Sequence, residues 1–220
     1  MKSDFIIMNK DKILDQLCEE YPSLRGVRED IASLALAMIS CFESGGKLLI
    51  CGNGGSCADS EHIVGELMKS FELPRPLSEE TGHKLREISP DRGDYIAGKL
   101  QQGFPAYALA AQTALATAIC NDIDPDLVFA QQVLTYGRTG DILLGISTSG
   151  NSQNVIDALI AARAIDMVTA GVSGRSGGRM KEHCDIIIKV PEERTARIQE
   201  LQLPVMHTIC RLVENHFFNK

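Results

Sequence analysis

Apolar residues fall into two patterns along this chain: short unbroken runs, and longer stretches with apolar positions three and four apart. Asp11 to Glu20 and Arg28 to Ser44 show helical spacing, with Ile13, Leu14 and Leu17, then Ile31, Leu34, Ala35, Met38, Ile39 and Phe42. Pro22 interrupts them, and Gly45-Gly46 is a stop that leads into the run Leu48-Leu49-Ile50-Cys51, which reads as a strand covered on both faces. Ser56 is expected to cap the next helix, which runs from Ala58 with Ile63, Leu67 and Met68 on its apolar side. Residues 73–104 break the alternation through Pro74, Pro76, Pro90, Gly93 and Gly103. They are read as an excursion from the core, a lid or an interface arm, in which Glu79 to Glu87 suits a short charged helix and His83 a solvated position.

The alternation then resumes. Pro105 to Ala110, Asp141 to Ile146, Met167 to Val172 and Asp185 to Val190 read as strands; Asp126 to Tyr136 and Asn154 to Ala164 read as helices. A closing helix is expected from Arg194 to Phe218, kinked or loosened at Pro204, which cannot donate to the carbonyl of Glu200. Strands alternating with helices predict an α/β fold: a three-layer αβα sandwich whose parallel sheet of about five strands is flanked by helices. The chain is read as one domain, residues 1–220, with N-terminal helices in 1–45 and an inserted arm at 73–104. The first helix lies outside any βα unit, so it either packs on the side of the domain or joins a contact with another subunit.

Composition narrows the class of partner. A net charge of −7 without a basic run, no Trp and 5% aromatic content argue against a nucleic-acid surface. Seven cysteines, odd in number and without CxxC pairs, lie mostly in apolar runs, and those read as core residues of a reducing compartment. The N-terminal residues lack a basic flank followed by an apolar core, and no apolar run approaches ~18 residues, so the expectation is a soluble, cytoplasmic protein without a membrane partner.

Candidate chemistry gathers at three places. Gly52-Asn53-Gly54-Gly55-Ser56 joins the first strand to its helix, and a glycine-rich turn at a helix N-terminus suits a phosphate. His62 and Glu66, four apart, share a face of that helix. Ser147-Thr148-Ser149-Gly150-Asn151-Ser152 repeats the arrangement at the end of another strand, with more hydroxyls than a helix cap needs. Gln199 and His207, eight apart, lie on neighbouring faces of the closing helix beside Pro204. His183 and His216 are assigned to the surface. A glycine loop alone is as well explained by an ordinary loop, and a His/Glu pair alone is better explained by a solvated face; all three places in this order are a stronger signal.

Cys51-Gly52-Asn53-Gly54-Gly55-Ser56 with His62 and Glu66, Ile146 to Ser152, and Arg197-Ile198-Gln199-Glu200 with a histidine downstream resemble the sugar isomerase (SIS) domain family, and within it the phosphoheptose isomerases. The resemblance spans most of the chain and is weakest at 73–104, which looks longer than the corresponding loop. It implies isomerisation of sedoheptulose 7-phosphate to D-glycero-D-manno-heptose 7-phosphate, feeding heptose-nucleotide and glycan synthesis, by a homotetramer with sites between subunits. It further implies that Asn53, Gly54, Gly55, Asn121, Asp122 and Gln199 contact substrate, with Glu66, while Ser147, Thr148, Ser149 and Ser152 hold its phosphate. Glu66 and His207 would be the acid/base pair, and His62, Glu66, Gln199 and His207 a zinc set softened by an amide, hence of partial occupancy. Ala196 stands where some members carry an acid. A proton moved through an enediolate needs such a base and acid. The rival expectations are a non-catalytic SIS protein that associates with a replication initiator, an isomerase of another sugar phosphate, and a sugar-phosphate-sensing domain.

Overall fold

The computed structural model describes residues 2–219, with side chains from residue 11 onward. Helix α1 (Lys2–Glu20) and α2 (Arg28–Glu43) precede strand β1 (Leu48–Gly52) and helix α3 (Gly55–Met68). The segment between α3 and the second strand folds as two helices, α4 (Glu79–Ile88) and α5 (Pro90–Lys99), so the expected excursion is a helical hairpin with one more helix than its composition suggested. Its base is closed by an antiparallel bridge between Pro76 and Gln101. Then follow β2 (Ala106–Ala108), α6 (Thr113–Asp122), α7 (Ala130–Tyr136), β3 (Ile142–Ser147), α8 (Gln153–Ala164), β4 (Val168–Ser173), β5 (Ile186–Lys189) and α9 (Thr195–Phe218).

The strands form one parallel sheet in the order β2-β1-β3-β4-β5. Alternate residues of each strand face opposite layers. Leu48 and Ile50 pack with α1, α2 and α9, whereas Leu49 joins Val133, Val155 and Leu159 of α7 and α8. The first helix packs on this domain: Leu14 and Leu17 are buried against the same core as α9. The chain leaves β1 toward β2 on one side and places β3 on the other, with Gly52 beside Ile146. Ligands of open α/β sheets bind at such a switch point, outside the strands' carboxyl ends.

Several local expectations are corrected. Gly54, at φ +55°, caps α3, and the helix starts at Gly55; Ser56 is buried inside the first turn and caps nothing. Only glycine enters that left-handed backbone freely, which moves the helix start forward of the serine. Met68 is exposed, because one residue beyond Leu67 the helix face has turned away from the core. The helix expected from Asp126 is a short 3₁₀ turn (Pro125–Leu127) followed by α7. His216, expected at the surface, is three-quarters buried and bonded to Glu43 at 2.8 Å. His83 is exposed and pairs with Glu87. α9 continues through Pro204 without a break. No described helix is long and apolar enough to cross a membrane.

Candidate active site

Helices α3 and α9 run side by side in the same direction. At the start of α3, a side chain on Gly55 would collide with the Gln199 amide, so the glycine lets Gln199 lie over the first turn. Seven and eight residues further on, respectively, His62 and His207 meet with their Nε2 atoms 3.4 Å apart and their rings edge to face. His62 Nε2 is also 3.4 Å from Glu66 Oε1, while Lys69 donates to Glu66 Oε2 at 2.8 Å. The carboxylate is mostly buried, its side chain 15% exposed. Glu66 and His207 are thus linked through His62. Burial lowers the pKa of His207, as does the neighbouring His62, against the opposing pull of Glu66 and Glu72. The imidazole is therefore neutral near pH 7, able both to accept and to donate. Phe71 closes its other side, with ring centroids 5.3 Å apart.

Both turns lie at the switch point, where the glycine turn after β1 leads directly into α3 and the hydroxyl-rich turn after β3 leads into α8. Ser147 Oγ and Ser152 Oγ are 3.0 Å apart, drawing the hydroxyl-rich turn shut below α8. Gly150, at φ +66°, packs directly on the backbone of Gly177 and Gly178, leaving no room for a side chain. Arg179 braces the turn from that second loop: its backbone N–H donates to Asn151 Oδ1 at 3.1 Å and its guanidinium to Gln153 Oε1 at 3.0 Å. Thr148 and Ser149 open into a cleft shared with Arg175 and Ser176.

Sequence reading missed three parts of this arrangement. Asn154, in the first turn of α8, exchanges two hydrogen bonds with Asn53 across the switch point, at 2.9 and 3.0 Å. Arg179 supports the second turn. Arg75 forms a buried ion pair with Glu214 beneath the Glu66–His207 group, at 2.7 Å. A carboxylate seven residues after His207, on the apolar stripe of α9, was the available signal for the last. Conversely, Asn121 and Asp122 are exposed at the end of α6; Asn121 donates to Asp122 at 2.7 Å, and among the described residues no hydrogen bond joins them to either turn or to the histidines.

Of the four residues expected to hold zinc, His62 lies 3.4 Å from both Glu66 and His207. Among the described residues, no group of three or more His, Cys, Asp or Glu already surrounds a common centre. Yet a tetrahedral zinc shell with bonds of ~2.0–2.1 Å has edges of about 3.3 Å, close to the two 3.4 Å separations at His62. Two imidazoles and a carboxylate are a suitable donor set, with Gln199 held near Gly55.

Residues 23–96 and 96–174 match the SIS domain family. The phosphoheptose isomerase of Roseiflexus sp. (strain RS-1) is 40% identical over 190 residues, 86% of this chain and 83% of that protein. That of Shewanella sp. (strain ANA-3) is 37% identical over 212 residues, 95% of this chain and 94% of that protein. Among solved structures, the phosphoheptose isomerase of Francisella tularensis superposes with a TM-score of 0.73 at 30% identity, covering 98% of this chain and 100% of that one. That of Neisseria gonorrhoeae gives 0.70 at 33% identity with the same coverage.

Proposed function

This chain belongs to the SIS domain family, and from that membership and the geometry of the site we infer that it is an aldose–ketose isomerase converting sedoheptulose 7-phosphate to D-glycero-D-manno-heptose 7-phosphate. The observation that carries the reading is the meeting of His62 and Glu66 with His207 of α9, on the helix that the phosphate-suited glycine turn opens. The N-terminus of α3 and the hydroxyls of Ser147, Thr148, Ser149 and Ser152 hold the phosphate. Glu66 removes the proton from the carbon next to the carbonyl and returns it to the former carbonyl carbon, while neutral His207 carries the proton between the two oxygens as the enediolate forms and collapses. Each such transfer contributes about 10²- to 10⁴-fold. Lys69, bonded to Glu66 Oε2, leaves Oε1 turned toward His62.

Zinc held by His62, Glu66 and His207, with Gln199 as the weaker fourth donor, is part of this proposal. When bound, it polarises the carbonyl and stabilises the enediolate oxygen. A homotetramer with sites between subunits is proposed as well. Exposed apolar residues such as Leu36, Leu134 and Ile160 support it, as does the exposure of Asn121 and Asp122, which would complete a neighbour's site. Sedimentation equilibrium checks the tetramer.

Turnover of sedoheptulose 7-phosphate by purified protein, beside fructose 6-phosphate and ribulose 5-phosphate, tests the reaction. The heptulose is expected to be consumed fastest; a preference for either of the others would replace the substrate, and silence on all three would refute the catalytic reading.

A further inference from the structure

Arg75 stands at the entry to the inserted hairpin between Pro74 and Pro76, and its side chain is fully buried. A buried guanidinium is tolerated only when its donors are satisfied. Nε donates to Glu214 Oε1 at 2.7 Å, Nη1 to the Leu67 carbonyl at 2.8 Å and Nη2 to the Glu66 carbonyl at 3.1 Å. The group lies over the rings of Phe104 and Phe218, 5.0 and 5.4 Å from their centroids. Glu214 in turn accepts from the backbone N–H groups of Phe71, Glu72 and Leu73 at 2.8–3.0 Å.

Two features connect this cluster to catalysis. The last carbonyls of a helix lack partners within it. α3 ends on Lys69 in an extended conformation, without a glycine closure, so Arg75 supplies donors to two of those carbonyls, one of them that of Glu66 itself. Glu214 lies seven residues beyond His207, almost two turns on and on nearly the same face of α9. One guanidinium therefore joins the backbone that carries the carboxylate to the helix that carries the imidazole.

We propose that Arg75, held by Glu214, is a positioning residue that sets the separation of Glu66 from His207. The proposal rests on the acid/base reading of those two residues. Arg75 touches neither reacting side chain and acts through the backbone. A lysine keeps the charge opposite Glu214 but lacks the planar fork that reaches two carbonyls at once, so the last turn of α3 loosens while the ion pair persists. The glycine turn lies at the opposite end of α3, and substrate binding is left intact.

The test compares the parent with Arg75→Lys and with the double variant Arg75→Met/Glu214→Gln, which leaves no buried charge unpaired and so guards against misfolding. Steady-state kinetics on sedoheptulose 7-phosphate, thermal melts and amide hydrogen exchange over residues 62–69 are read for each. The expected result is a kcat about 10- to 100-fold lower with KM within about twofold, and faster exchange over 62–69. A parental kcat in either folded variant, or a loss equal to the unfolded fraction, overturns the proposal. Should the parent be silent on the heptulose, the reaction fails, and exchange alone decides the clamp: faster exchange in Arg75→Lys upholds it, and unchanged protection overturns it.

Discussion

Asn53 and Asn154 exchange a pair of hydrogen bonds, 2.9 and 3.0 Å long, between the glycine turn after β1 and the first turn of α8. The two turns proposed to hold the phosphate are thereby locked to one another across the switch point. Asn154→Ala is expected to raise KM for the sugar phosphate about 5- to 10-fold with a smaller change in kcat, since two partly solvated bonds are each worth about 0.5–1.5 kcal/mol. A KM equal to that of the parent would show that the turns hold their spacing without the pair.

Glu66→Gln retains shape but removes the proposed base. Turnover should fall by about 10²- to 10⁴-fold while inorganic phosphate still protects the fold in thermal melts. Substantial residual turnover would assign the proton abstraction to another group.

Gly55 and Gly150 offer a contrast. A methyl on Gly55 meets only the mobile end of Gln199, so Gly55→Ala should fold normally and lose activity by displacing that amide. A methyl on Gly150 meets backbone at Gly177 and Gly178, and φ is +66°, so Gly150→Ala should destabilise the whole second turn, by about 1–3 kcal/mol or more. Melting curves and activities of the two variants, measured together, separate the cases; equal losses of stability would contradict the argument.

Glu214 makes the stability depend on acid. Burial raises its pKa, but the three backbone N–H groups and Arg75 outweigh that and hold it below the usual carboxylate range. A depressed folded-state value means stability that is complete above the unfolded value of about 4.5 and is lost as pH falls from there through the folded value. At pH 7, Glu214→Gln leaves Arg75 unpaired and should cost about 3–5 kcal/mol. Below pH 4.5 the parent should lose stability more steeply than the variant, and melts from pH 7 to 3 would refute the account if the two fell in parallel.

Zinc content gives a further check. Chelation is expected to reduce heptulose turnover and added zinc to restore it, with His62→Ala lowering the zinc bound per chain measured by elemental analysis. Parental zinc content in that variant would remove His62 from the donor set.

What the sequence determined on its own are the features written in short-range order. The run Leu48 to Cys51, the helical spacing of α2 and α9, and the glycine- and hydroxyl-rich turns each depend on residues within a turn or two of one another, so periodicity and turn chemistry reveal them. His62 and Glu66 were legible for the same reason: a spacing of four puts them on one helix face. The hairpin of α4 and α5 was only half legible, because Pro90 marks a break and yet opens α5, where its missing N–H costs nothing. The tertiary structure alone decided which distant positions meet. His207 reaches His62 across 145 residues of chain, Asn154 reaches Asn53 across 101, and Glu214 reaches Arg75 across 139. Such pairings follow from which strand neighbours which and from α3 packing alongside α9. No local pattern fixes them, because closing a long loop adds only slowly growing entropy and so leaves many partners comparable until the core is packed.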